Sequence, residues 1–395
     1  MANTLPFPNS PRQGGGRGFA EPNDGRLIGI ELLRFAAALA VLIWHYQNFL
    51  IGSPGHPELV RAAQPMFFLL GPLYAYGNSG VELFWCLSGF IFTWKYIEPI
   101  HAGGVSFARF IWLRFSRLYP LHIATLLLVA SLNAVYFARH GEYFIYPIND
   151  LKHFLLNLGF ASYWGFQADK SFNGPIWSVS VEILVYFLFF AATRVRRGNL
   201  WTDIGMTILA SIAYAGMRRF AGIKLEVFGA ITFFYIGAAA CRIHAMLAPL
   251  PSKSRAIAAT FGIVLVSGVL VGAGVLKIAG ASLAMFPAAI LFFQLAVRPS
   301  SPRVAGAIEA VGNLTYASYL IHFPLQIAIV LVLDAVSIPA ASLFYGPWLL
   351  PAYLVSVLGL SVPMFRWFER PAQTLLRGFG RPRYAAPRPP GAEPR

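Results

Sequence analysis

The chain has 395 residues, 57% of them hydrophobic and only 12% charged, with 31 Lys and Arg against 16 Asp and Glu. Its mean hydropathy is +0.60. An apolar excess of this size needs lipid and not a larger core, and the cations gather in short segments between apolar runs, so the charge reads as membrane topology and excludes a nucleic-acid partner. The sequence therefore predicts an all-α protein, a polytopic integral membrane helical bundle surrounded by membrane lipids.

Residues 1–26 read as a disordered cytoplasmic tail, rich in Pro, Gly and Asn and without the apolar centre of a signal peptide. Residues 27–371 hold ten apolar runs of about 20 residues, the length a bilayer core requires. The runs centre near Leu39, Leu87, Leu128, Val185, Leu209, Ile236, Val266, Ile290, Val330 and Leu358. Residues 372–395 form a basic, Pro-rich cytoplasmic tail. Residues 66–76 are apolar but short and interrupted by Gly and Pro, and read as a re-entrant segment on the outer side before the second span. Cys86 and Cys241 lie in or beside apolar runs, which gives no disulfide framework and no metal cluster.

With the N-terminus in the cytoplasm, the inner segments collect Arg109, Arg114 and Arg117, then Arg194, Arg196 and Arg197, and finally the basic tail, while most outer loops are poor in cations. Arg218, Arg219 and Lys224 fall outside in this count, which leaves a miscounted span near residues 201–225 open. The even count returns both termini to the cytoplasm.

The first span places Arg34 and His45 in an otherwise apolar run. Eleven helical steps turn about 1100°, close to three full turns, so the two side chains share a face roughly 16 Å apart along the axis. A cation at mid-membrane costs about 2.5–3.5 kcal/mol on insertion scales, and such residues usually face a wet cavity on a functional path. Two readings stand: a functional stripe, or Arg34 paired with Glu31 one turn below and His45 as a satisfied core imidazole. The second span carries GVELFWCLSGF, with Glu82 near its outer end and Ser88-Gly89 deeper, a pattern that also serves close helix packing. The third opens on Arg109, Arg114 and Arg117 before Tyr119-Pro120; the Arg forks suit phosphates, though the positive-inside rule also accounts for them.

The long outer connection at 139–173 mixes charges with Tyr143, Phe144, Tyr146, Tyr163, Trp164 and Phe166, which read as interfacial anchors in preference to a sugar-stacking surface. The fourth span opens on Trp177, and its Ser178, Glu182 and Tyr186 share one face. Counted from its outer end, Glu182 comes level with His45, which permits a carboxylate to orient the imidazole; neutralising a buried Arg is the alternative. The ninth span brings Tyr319 and His322 to mid-depth, with Pro324 breaking the ladder behind them, and makes a second wall for the same cavity. There is no Walker loop, HExxH, Rossmann fingerprint or paired CxxC, so nucleotide hydrolysis, zincin chemistry and dinucleotide redox have no support.

These motifs in this order resemble the acyltransferase-3 superfamily of integral membrane acyltransferases. The resemblance spans residues 27–371 and rests on the Arg34–His45 pair, GVELFWCLSGF, Arg114-x-x-Arg117-Leu-Tyr-Pro, WSVSVE, YASYLIHFP and the closing FERP at 368–371. Trp85-Cys86 and Ile183 depart locally from the family pattern without removing a candidate catalytic group. The resemblance implies transfer of an acyl group, most often acetyl, from cytosolic acetyl-CoA or another acyl-CoA to a saccharide or glycolipid hydroxyl at the outer side of a bacterial inner membrane. No metal is implied. On that reading His45 is the base or an acyl carrier, Arg34 anchors the donor or steadies the carbonyl, and Glu182 orients the imidazole. Arg114 and Arg117 hold the phosphates, with Glu82, Trp177, Ser178, Tyr319 and His322 lining the cavity. A proton-coupled transporter or flippase of a glycan or lipid-linked precursor is the alternative class, since buried Arg, His and Glu also serve proton relays. Acceptor, oligomeric state and the choice between direct transfer and an acyl-histidine lie beyond the sequence.

Overall fold

The structure, a computed structural model, describes residues 27–379 except 54, 56, 168 and 221–224; the N-terminal segment 1–26 and residues 380–395 of the basic tail lie outside the described residues. In chain order the helices are α1 (Ile28–His45), α2 (Asn48–Ile51), α3 (Phe67–Tyr76), α4 (Gly80–His101), α5 (Phe107–His140), α6 (Leu151–Leu158), α7 (Trp177–Val195) and α8 (Leu200–Phe220). They continue with α9 (Glu226–Leu247), α10 (Ser254–Gly272), α11 (Ile278–Ala296), α12 (Pro302–Asn313), α13 (Thr315–Ala335), α14 (Ala340–Phe344), α15 (Leu349–Pro363) and α16 (Arg370–Phe379). No strand occurs among the described residues. Nine helical stretches among them are long and apolar enough to cross a membrane. α3 and α4 together make a further crossing; α4 is not among the nine, its 22 residues diluted by Glu82, Lys95 and Glu98. All ten sequence-predicted centres fall inside helices.

The contacts sort the helix ends onto two faces. On the near face, where α1 begins, Ile30 N–H donates to Gln294 Oε1 at the end of α11 (3.2 Å), Trp112 Nε1–H near the start of α5 donates to the Leu376 carbonyl of α16 (3.0 Å), and Arg197 after α7 pairs with Glu98 of α4. On the far face, Tyr46 OH donates to the Phe344 carbonyl (2.7 Å) and His140, ending α5, meets Asp334 near the end of α13 at 2.8 Å. Arg218 and Arg219 end α8 on the far face, and the helix stands as the sequence places it; Lys224 lies outside the described residues. Position in the bundle follows burial: 67% of the apolar window of α9 and of α13 is buried against protein but only 11% of those of α8 and α10, which leaves the latter two to face lipid.

Small residues set the spacing at the centre. A β-carbon on Gly89 of α4 would strike the Phe234 carbonyl of α9, and one on Gly237 of α9 would strike the Cys86 carbonyl of α4, so the two parallel backbones touch at both glycines. Cys86 and Cys241 are both free and buried beside this seam. Another pair of glycines decides how α4 begins. Gly77 and Gly80 pack against the carbonyls of Ala40 and Ala37 halfway along α1, and a single 3-10 turn, Gly77–Ser79, joins α3 to α4. Residues 66–76 are thus the far half of one interrupted crossing, not a separate re-entrant segment ahead of it, and α4 starts at mid-depth.

The long connection at 141–173 folds back onto the bundle. Phe144 is fully buried, the Tyr146 ring lies 5.1 Å from that of Phe323, and Trp164 Nε1–H donates to the Ser180 carbonyl (2.8 Å). Phe166 stays exposed, but most of these aromatics pack on protein instead of anchoring at an interface. Asp150 caps α6 by accepting the His153 backbone N–H (2.9 Å), a contact that with the His153 ring holds its carboxyl below the usual range.

Candidate active site

A cavity of about 390 Å³ opens between α1, α4, α5, α7, α13 and the start of α16. Its wall on α4 is the face Val81, Phe84, Trp85, Ser88, Ile91 and Lys95, one helical stripe. Arg34, Arg114, Arg117, Ser178, Glu182 and Tyr319, all singled out from the sequence, line it.

The near end is cationic. Arg34 donates from Nη1 to Glu31 Oε2 (2.9 Å) and from Nη2 to Thr315 Oγ1 (3.0 Å), so its guanidinium is tied to α1 and α13 at once. The pairing with Glu31 and the cavity position hold together. Arg114 lies with its Cζ 5.0 Å from the ring centres of both Phe92 and Tyr96 and donates to Tyr96 OH, while its Nε has no hydrogen-bond partner. Lys95, Arg117 and Arg370 complete five cations against the carboxylates of Glu31, Glu182 and Glu369. Because Glu31 is committed to Arg34, the end carries an unbalanced positive charge, half walled from water, where an anion is held more firmly than at an open surface.

The far end is uncharged and built from hydroxyls, with imidazoles just beyond. Ser178 Oγ and Tyr319 OH lie 2.8 Å apart; Tyr319 OH also donates to the Pro175 carbonyl (3.0 Å), and Trp85 Nε1–H donates to the Ser178 carbonyl (3.3 Å). Tyr319 and Phe84, with rings 6.1 Å apart, close the cavity here. One turn further along α13, the His322 ring stands 5.9 Å from that of Tyr319 and 4.8 Å from that of His45. His45 Nδ1 faces the Val41 carbonyl at 3.0 Å and His322 Nδ1 faces the Tyr319 carbonyl at 2.7 Å. A carbonyl only accepts, so Nδ1 carries the proton in each ring and Nε2 carries the lone pair of the neutral form. His322 Nε2 has no hydrogen-bond partner. The end of α1 is pinned beside them, since Gln326 Nε2 donates to the His45 carbonyl (2.8 Å) and Asn48 Nδ2 donates to Gln326 Oε1 (3.0 Å).

Four expectations need correcting, the first being that His322 lines the cavity: on α13 the wall stops at Tyr319, one turn short of it. Glu182 does not orient His45: it lies against Ser88 and Tyr186 with the charges of Arg117 and Arg114 acting on it, and the Val41 carbonyl does the orienting. The depth count failed because residues 173–176 are buried, with Asn173 Nδ2 donating to the Leu320 carbonyl (3.1 Å), so α7 starts inside the bundle and Glu182 falls well short of the histidines. Glu82 is not on the cavity wall: it sits in the first turn of α4, which starts at mid-depth, and lies about 100° off the Val81–Ser88 stripe. Trp177 stands behind that wall, its ring 5.7 Å from Trp85 and 5.4 Å from Tyr163, with Lys170 Nζ 4.8 Å over its face.

Sequence reasoning missed Lys95, Glu369 and Arg370. Lys95 continues the Ser88 stripe seven residues on, a heptad signal that was there to be read. Glu369 sits in the FERP motif at the end of a π-helical turn, Met364–Glu369, that interrupts the last span and brings a buried carboxylate onto the cavity.

Such a cavity, cationic at one end and hydroxyl-lined at the other with two imidazoles just beyond, lies within a multi-pass membrane bundle. The chain belongs to the acyltransferase-3 family, whose model, described as an acyltransferase domain, matches residues 27–366. It is also similar to Protein 2 in picA locus from Rhizobium radiobacter, 30% identical over 106 residues, or 27% of this chain. The match covers 45% of that protein's own length. No solved structure matches the chain.

Proposed function

We propose that the chain transfers a short acyl group, acetyl first, from acyl-CoA entering at the near face to a saccharide or glycolipid hydroxyl presented at the far face. The near face is then cytosolic, both termini lie there, and the membrane is a bacterial inner membrane. The carrying observation is the polarity of the cavity: five cations at one end, a hydroxyl pair at the other, and two histidines just beyond that pair. The phosphates of coenzyme A sit against Arg114, Arg117 and Lys95, where Arg forks give charge-assisted bonds. The pantetheine arm, an extended chain with two amides, passes Glu182 and Ser88 and bridges the roughly 16 Å that separate Arg34 from His45 along α1.

In the reaction, His45 Nε2 takes the proton of the acceptor hydroxyl as its oxygen attacks the acyl carbon. The new C–O bond forms, the C–S bond breaks, and the leaving thiolate receives the proton. His322 stands beside His45, the two rings 4.8 Å apart. Direct attack by His45 on the thioester, giving an acyl-histidine, uses the same lone pair.

The test is transfer from labelled acetyl-CoA to surface saccharide by the full-length protein in sealed vesicles, with donor added on one side only. Labelled ester is expected in the saccharide, and its absence from His45→Ala at equal insertion. Saccharide carried across the membrane with no consumption of acetyl-CoA would overturn the reading.

A further inference from the structure

Attack on a thioester puts negative charge on the carbonyl oxygen, and a site of this kind needs a preorganised donor where that charge develops. Arg34 cannot supply it beside His45. The two residues lie roughly 16 Å apart on one rigid helix, and both terminal nitrogens of Arg34 are engaged by Glu31 and Thr315. At the far end the cavity wall offers other donors. Ser178 Oγ is 2.8 Å from Tyr319 OH, and each hydroxyl lies within bonding distance of the same Pro175 carbonyl, at 3.2 and 3.0 Å. Two hydroxyl protons therefore face one carbonyl acceptor. When Ser178 donates to Pro175, the Tyr319 proton is bound only by the Ser178 oxygen, a weak neutral acceptor that a ligand oxygen can replace.

Position completes the case. Tyr319 lines the cavity and stands one turn from His322 on α13, its carbonyl fixing the His322 ring. Ser178 is in the first turn of α7, whose N-terminal end of the helix dipole adds positive potential at the same spot. Trp85 holds the Ser178 carbonyl from α4, so three helices lock the pair.

Resting on the acyl-CoA reading, we propose that the Tyr319 hydroxyl, set by Ser178, is the donor to the thioester carbonyl oxygen: a catalytic residue for the oxyanion, with Ser178 as its positioning partner. As the acceptor C–O bond forms, the carbonyl π pair moves onto oxygen and is met by Tyr319 O–H. When it returns, the C–S bond breaks and the thiolate leaves with the proton taken by the base.

The experiment compares wild type, Tyr319→Phe and Ser178→Ala as full-length protein in lipid nanodiscs, following thiol release from acetyl-CoA with surface saccharide as acceptor. Tyr319→Phe, which keeps the ring, is expected to lower kcat roughly 10²–10³-fold, the usual effect of losing one oxyanion donor. KM for acetyl-CoA and thermal unfolding should stay as in wild type, and Ser178→Ala should fall between. As a second readout, the ketone analogue of acetyl-CoA in which a methylene separates sulfur from a ¹³C-labelled carbonyl is bound, and its infrared stretch recorded. It should move to lower frequency on wild type and return on Tyr319→Phe. Wild-type kcat in Tyr319→Phe, or a carbonyl stretch indifferent to the substitution, would overturn the assignment and leave acyl transfer standing. Wild type that neither binds acetyl-CoA nor releases thiol from it would remove the acyl-CoA reading, and this inference with it.

Discussion

The two ends of the cavity solve the burial of polar groups in opposite ways. At the near end side chains satisfy one another: Arg34 reaches Glu31 and Thr315, and Arg114 reaches Tyr96 and lies near Phe92. At the far end and just beyond it backbone carbonyls hold the groups: Pro175 takes the hydroxyl pair, and past the wall Val41 takes His45 and Tyr319 takes His322. A group held by a carbonyl keeps its other polar atom for a ligand, whereas a cluster of cations offers field and little direction. Holding and reacting are thus assigned to separate regions, and substitutions at the two ends should fail in different kinetic constants.

The largest effect is expected at the far end. His45→Ala should lower acyl transfer per inserted molecule roughly 10²–10⁴-fold, the contribution of a positioned base, with donor binding intact by titration of acetyl-CoA. If affinity fell and turnover did not, the division between the ends would be wrong. Next in size, Arg114→Ala combined with Arg117→Ala removes charge-assisted contacts worth about 1.5–3 kcal/mol each. KM for acetyl-CoA should rise at least about tenfold, and kcat should stay close to wild type. Initial rates across donor concentration separate the two, and a loss confined to kcat would return these residues to topology signals.

Glu182 tests the middle of the cavity. Were it the partner of His45, Glu182→Gln would change the pH profile of kcat, because the imidazolium would lose its counter-charge. The contacts with Ser88 and Tyr186 predict an unaltered profile and a loss of about tenfold, the difference between a charged and a neutral hydrogen bond. Rates measured from acid to alkaline pH decide it.

Much of this was legible in the sequence, and what was not has a common cause. Ten spans could be counted because hydropathy is a local property, and Ser178, Glu182 and Tyr186 could be put on one face because helical periodicity is local too. Depth is not local. α4 starts halfway along α1 because Gly77 and Gly80 fit against the Ala40 and Ala37 carbonyls, and α7 starts below the surface because Asn173 finds the Leu320 carbonyl. Both are tertiary contacts, and they moved Glu82 and Glu182 away from the places that counting from loop ends assigns them. Glu369 was hidden for another reason: a π turn shifts the face a helix presents, and hydropathy carries no trace of it.

The smallest predicted effect probes how the near end is assembled. Arg370 and Gln373 reach the cavity from α16, whose body is tied to α5 through Trp112 Nε1–H and the Leu376 carbonyl at 3.0 Å. Trp112→Phe keeps an aromatic ring there and removes the bond, at a cost of about 0.5–1.5 kcal/mol. The loss falls on the docking of α16 and passes to the donor only through the two side chains it carries, so affinity for acetyl-CoA should weaken by roughly 2- to 10-fold at most. Turnover at saturating donor should not change, since nothing at the far end touches α16. Proteolysis after Arg377, which is half-buried in the docked helix, should quicken over the same range. A variant that clipped faster yet bound acetyl-CoA as wild type would show that the phosphates are held without α16, and would move Arg370 out of the donor site.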